Sequence, residues 1–125
     1  MLDEHVMLRP AHVRKARRIV RSRLVDLGYG ENDVVAVEAV VAELLGVVVE
    51  AGESTSVRLT ITSFPLLTSV RLRCPWKLET AEMDPLALRE RVLERFTVAT
   101  GRRENDDATV DLWAEVPRSR HEPGS

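Results

Sequence analysis

The sequence predicts an α+β fold: a two-layer α/β sandwich in which about three helices cover one face of a mostly antiparallel, four-stranded sheet. Three observations lead there. Four short segments, near residues 2–9, 57–62, 70–74 and 110–116, alternate apolar and polar side chains with the period of a strand. Three longer segments, near 10–27, 31–51 and 84–98, repeat apolar residues at helical spacings. Two of the strands are joined by a short proline-containing turn, which makes a hairpin and hence antiparallel pairing.

In the first segment Leu2, Val6 and Leu8 share one phase and His5, Met7 and Arg9 the other. Pro10 suits a helix start, where its missing donor costs nothing. Val13, Ala16, Val20, Leu24 and Leu27 then form the apolar stripe of the first helix, which Gly28 and Gly30 stop. Asn32 or Asp33 is the expected cap of the second helix. That helix is apolar nearly all round, with Glu38, Glu43 and Glu50 as its main polar positions, so it must be covered on several sides. Its many valines lower helix propensity, and packing has to hold it. Val57, Leu59 and Ile61 are the inward phase of the second strand, and Val70, Leu72 and Cys74 that of the third. A helix from about Asp84 to Val98 follows, then a polar stretch, Gly101–Asp107, read as a loop. The last strand puts Val110, Leu112, Ala114 and Val116 inward and Trp113 outward.

The length of 125 residues fits one domain, assigned to residues 1–117, with a flexible tail at 118–125. A net charge of −2 gives no overall case for a nucleic-acid or membrane-surface binder. A lone cysteine excludes an internal disulfide framework and a multi-cysteine zinc site. No apolar run approaches a membrane span, and the opening residues are too charged for a signal peptide, so a cytoplasmic location is expected. Sixteen of the 18 basic residues are arginine, and valine far outnumbers isoleucine, a bias that fits GC-rich codon usage.

The element order, with PAHVRKARRIVRSRL, ENDVVAVEAVVAELLGVVVEAG and TVDLWAEVP, resembles the anti-sigma-factor-like branch of the histidine-kinase-type ATPases, the GHKL or Bergerat fold, over about residues 2–117. That resemblance implies an ATP site with magnesium. On its second helix the family carries glutamate–leucine–any–any–asparagine. Here Glu43 and Leu44 match, but Val47 replaces the magnesium-holding asparagine. Where an adenine-reading aspartate is expected stand Cys74, Pro75 or Trp76, with no Asp-x-Gly between residues 70 and 82. The phosphate-cradling glycines are absent from AEMDPLALRERV. Three lost contacts, at about 1.5–3 kcal/mol each, take a micromolar site to no useful affinity.

The resemblance therefore implies a regulatory protein-binding module with no expected cofactor, acting on a sigma factor or an anti-anti-sigma-like protein, or on itself as a homodimer. Glu43 remains as a vestigial catalytic position. Arg14, Arg17, Arg18 and Arg21 on the basic first helix, and Trp113, are the candidate partner contacts. Against that stands a solvated helix face whose arginines pair with the acidic second helix. The valines of the second helix are core, a filled nucleotide cavity or a subunit contact, and Trp76 caps the adenine pocket or packs at the core edge. Two other functions remain open: an ATP-binding serine/threonine kinase with divergent motifs, needing ATP and Mg²⁺, and a nucleic-acid binder through the first helix, which five aromatic residues and net acidity disfavour. No histidine or cysteine stands in a metal-ligand spacing.

Overall fold

A computed structural model describes residues 2–7, 10–50, 56–74 and 94–119. In chain order these form β1 (Leu2–Met7), α1 (Pro10–Asp26), α2 (Glu31–Glu50), β2 (Ser56–Ser63), β3 (Leu67–Cys74), β4 (Ala99–Glu104) and β5 (Val110–Pro117). The strands make one antiparallel sheet in the order β1-β2-β3-β5-β4. Helices α1 and α2 pack on each other, and α2 lies on β3 and β5, so the predicted two-layer sandwich stands.

All four strands read from the sequence are present, and a fifth joins them. Residues 101–104, expected in a loop, pair with β5 as the sheet's edge. The loop reading failed because Gly101 and three charged residues lack an inward apolar phase. An edge strand with polar residues on both faces does not announce itself by alternation. Of the predicted third helix, residues 94–96 are helical and 84–93 lie outside the described residues, as do Leu8, Arg9, Pro75, Trp76 and the glycine-free stretch 81–92.

The helix hairpin closes as its glycine dictates. Gly28 has φ +85°, Gly28 N–H donates to Val25 O (3.0 Å) and Tyr29 N–H to Leu24 O (3.0 Å). This is a Schellman cap, with the apolar residues Leu24 and Tyr29 at its paired positions. Helix α2 starts at Glu31 as expected, but the cap lies before Asn32 and Asp33: Gly30 O accepts the Val34 N–H at 3.0 Å. Asp33 is thus inside the first turn and does not cap it. Its carboxylate instead accepts the Ser119 N–H at 3.0 and 3.2 Å.

The core is continuous. Val20 and Leu24 of α1 meet eight α2 residues, from Val34 to Val48, and the inward phases of β2, β3 and β5, all at 1% exposure or less. The covering expected for so apolar a helix is therefore present. Each fully buried valine or leucine is worth about 1.5–3 kcal/mol, which offsets the poor propensity of the valine run. The register sets Leu2 and Val6 of β1 opposite Ile61 and Val57. At the far end of β5 the expected flexible tail is tied at its first two residues: Arg118 N–H donates to Leu66 O at 2.9 Å, and Ser119 to Asp33. Among the described residues no helix is long and apolar enough to cross a membrane.

Candidate protein-interaction surface

The basic residues of α1 divide into two sets. Arg17 and Arg21, one turn apart, face α2. Arg21 Nη1 donates to Glu31 Oε1 and Oε2 (3.0 and 3.1 Å), its Nε lies 2.6 Å from Glu38 Oε1, and Arg17 Nε is 3.9 Å from Glu38 Oε2. Glu38 is buried, at 7% exposure. The close Arg21 Nε contact is out of line, so Glu38 Oε1 has a charge partner but no hydrogen bond of good geometry. The Glu31 hydrogen bond, with the Glu38 charge behind it, raises the Arg21 pKa above its ordinary value. Two of the four proposed α1 contacts therefore lean toward Glu38 of α2, Arg21 closely and Arg17 at longer range while staying exposed. Arg14, Lys15 and Arg18 are exposed and pair with no acid among the described residues.

Of the positions compared with the family's nucleotide ligands, the described ones, Val47, Cys74 and Glu43, lie in or beside the core. Val47 and Cys74 are 1% and 0% exposed and belong to the same cluster. Burial pushes the Cys74 thiol up to about 12, with the Asp111 charge adding to it, so it stays protonated and unreactive at neutral pH. Glu43 is partly buried and already engaged. Among the described residues no three His, Cys, Asp or Glu side chains gather as a metal site.

The face of the sheet turned away from the helices carries a different chemistry. Strand register aligns Arg58, Arg73, Asp111 and Arg103 in one row across β2, β3, β5 and β4, and Thr60, Arg71, Trp113 and Gly101 in the next. Arg58, Arg71, Arg73 and Arg103 are exposed. Arg73 grips Asp111 through Nε–Oδ1 (2.9 Å) and Nη2–Oδ2 (3.2 Å). Burial alone would push the Asp111 carboxyl up. Hydrogen bonds from Arg73 and Asn105 and the charges of Arg73 and Arg71 outweigh it and hold it below the usual aspartate range.

Trp113 points outward as its phase predicts, half-buried, with its indole across Gly101 of β4. A Cβ at Gly101 would stand 2.3 Å from Cζ2, 2.5 Å from Cε2 and 2.9 Å from Nε1. The missing side chain is what lets the ring lie down on the sheet, an arrangement in which an aromatic covers an edge-strand glycine. The indole N–H has no acceptor among the described residues. The open face thus presents a fixed aromatic plate among arginines, with Asp111 and Glu115 as its carboxylates on these strands. Arg71, Arg73 and Arg103 escaped the sequence reading because register, not spacing along the chain, brings them to Trp113.

A polar cluster ties the opposite end of the strands to the helix hairpin. Tyr29 OH lies 2.6 Å from both Ser63 Oγ and Thr68 Oγ1. Arg118 stacks on the Tyr29 ring (4.1 Å to the centroid) and donates to Ser63 Oγ (3.1 Å) and Phe64 O (3.2 Å). Beside it is a cleft of about 210 Å³ bounded by Gly28, Gly30, Glu31, Asn32, Asp33, Arg118 and Ser119. It lies on the order of 15 Å along α2 from Glu43, at 1.5 Å per residue.

No protein-family model and no curated protein matches the sequence. Among solved structures, the chain is similar to one in the crystal structure of the SiaB-SiaC complex from Pseudomonas aeruginosa. The match has a TM-score of 0.63 at 13% identity and covers 93% of this chain and 89% of that one. At that identity the likeness is one of fold, and it extends over nearly the full length of both chains.

Proposed function

We propose that this chain is a regulatory protein-binding module on an anti-sigma-factor-like scaffold, and that it has ceased to bind or hydrolyse ATP. The observation that carries the reading is the burial in one apolar core of Val47, at the magnesium position of the related fold, and of Cys74, one of three residues matched to its adenine position. A hard cation finds no oxygen at Val47, and a protonated thiol is no substitute for an adenine-reading carboxylate. The similar chain comes from a two-protein complex, which supports a protein partner for this one. Tryptophan and arginine are the side chains that most often anchor such contacts, and Trp113 with its surrounding arginines offers them on a flat, rigid sheet. Arg71 and Arg103, which flank Trp113 beside the Arg73–Asp111 pair, favour a partner with an acidic surface; by resemblance this is a sigma factor or an anti-anti-sigma-like protein. A single aromatic plate with carboxylates in the same face suits a nucleic-acid strand poorly.

A thermal-shift titration tests the loss of nucleotide. A retained site would stabilise the fold by about 2.7 kcal/mol at a hundredfold excess of Mg·ATP over its Kd. We expect no saturable shift with Mg·ATP or Mg·ADP. A saturable shift, with phosphate transfer abolished by Glu43→Gln, replaces this reading with that of a kinase.

A further inference from the structure

The Arg73–Asp111 pair on the open sheet face is asymmetric. The carboxylate lies beneath, its side chain 4% exposed, and the guanidinium stands in solvent at 44%. Asp111 takes the side-on edge of that guanidinium, Nε to Oδ1 at 2.9 Å and Nη2 to Oδ2 at 3.2 Å. Two parallel donors on one planar carboxylate fix both the position and the plane of the group. A guanidinium carries five N–H bonds, and this grip uses two of them. The end-on edge, formed by Nη1 and the second Nη2 hydrogen, is a further fork of the same shape. It meets no acceptor among the described residues.

The carboxylate is held in its turn. Asp111 lies on β5, between β3 and β4, and takes another hydrogen bond from Asn105. Asn105 Nδ2 donates to Thr109 Oγ1 (2.9 Å), and Thr109 donates to Asp107 Oδ1 through its N–H (3.2 Å) and its hydroxyl (2.6 Å). The β4–β5 turn thus fixes Asp111, and Asp111 fixes Arg73. A free surface arginine loses rotamer entropy when a partner binds it; this one is ordered beforehand, which removes part of that cost. Asp111 also cancels the unit charge of Arg73, so the pair offers directed hydrogen bonds more than net charge. Arg71, two residues along β3 and opposite Trp113, is exposed and forms no salt bridge among the described residues, so it supplies the charge. One planar group with two oxygens and a single negative charge matches that combination, and a carboxylate is such a group.

We infer that Asp111 is a positioning residue, holding the end-on edge of Arg73 ready for one aspartate or glutamate side chain of an acidic protein partner. The inference rests on the assignment of the open sheet face to such a partner, and differs from simple charge complementarity in the sign of one result. Loss of the Asp111 charge makes the face more positive, which tightens an acidic ligand if charge alone governs. If position governs, the same change weakens it. The probe is a capped hexaglutamate peptide, titrated into the full nitrogen-15-labelled chain at about 0.15 M salt and followed by NMR. The peptide is expected to shift the Arg73 Nη signals while Nε, still bound to Asp111, moves little. Asp111→Asn weakens binding about tenfold with faster dissociation, despite the added positive charge. Arg73→Lys keeps the charge, lacks the fork and loses about as much, which decides the point even where Asp111→Asn does not fold. The double variant binds no more weakly than Arg73→Lys alone, because Asp111 acts through Arg73. Equal or tighter binding by folded Asp111→Asn, or undiminished binding by Arg73→Lys, with Arg71→Gln and Trp113→Ala still weakening it, overturns the positioning role and leaves the acidic-partner reading standing. A wild-type chain that does not bind the peptide, or binds it indifferently to Arg71→Gln and Trp113→Ala, overturns that reading and the inference with it. Displacement of the peptide by inorganic phosphate far more readily than by acetate, at matched ionic strength, overturns the carboxylate in favour of a phosphoryl group.

Discussion

The packing of Trp113 on Gly101 yields a prediction in which one substitution changes sign. Glycine within a strand costs about 0.5–1 kcal/mol relative to alanine through backbone entropy. On that ground alone Gly101→Ala stabilises. In the wild-type fold, however, the new Cβ would stand 2.3 Å from Trp113 Cζ2, well inside contact distance. The ring must lift, giving up a cross-strand pair worth about 0.2–1 kcal/mol and returning apolar ring surface to water at a further cost of about 1 kcal/mol. The balance is a net loss of about 1 kcal/mol. With Trp113→Ala already in place the obstruction is gone, and Gly101→Ala stabilises by about 0.5–1 kcal/mol. Urea unfolding of the four variants, followed by circular dichroism, measures the cycle, and the expected coupling is about 1.5–2 kcal/mol. In a Trp76→Phe background, fluorescence of Trp113 shifts to the red in Gly101→Ala as the ring enters water. Equal effects of Gly101→Ala in the presence and absence of the indole would refute the packing argument.

Three further outcomes follow from the geometry. Glu38→Ala leaves Arg17 and Arg21 without their shared acid; a fully buried broken pair costs about 3–5 kcal/mol, but Arg21 is 41% exposed and can hydrate, so about 1–2 kcal/mol is expected from chemical denaturation. The Arg73–Asp111 pair contributes stability above the ordinary aspartate value near 3.8, and this is lost as pH falls through the depressed value of the folded state. Asp111→Asn removes that component, so its stability falls less steeply with acid than the wild type's in the same titration. Tyr29→Phe strips the buried Thr68 hydroxyl of its partner and costs about 1–3 kcal/mol, read as a lowered urea midpoint at constant slope.

The fold was legible where one face of an element is buried and the other is not. The inward phases of β2, β3 and β5, the α1 stripe and the Gly28 stop all follow from local pattern, because period and backbone sterics act within a few residues. Strand β4 was illegible for the converse reason: Gly101, Arg102, Arg103 and Glu104 pair at an edge and present no apolar phase. Asp33 looked like a cap and instead holds Ser119, a residue 86 positions away that no local rule could supply. The basic stripe of α1 was visible, but its division into Arg17 and Arg21, which reach Glu38, and Arg14, Lys15 and Arg18, which do not, depends on where Glu38 comes to lie.

The candidate surface divides along the same line. Strand alternation alone put Trp113 outward and Cys74 inward, and residue chemistry alone denied Val47 a role with magnesium. The arginines gathered around Trp113 and the glycine beneath it arise from pairing between distant segments. Strand register and helix docking join positions dozens of residues apart, and their free energy is settled only when the whole core closes.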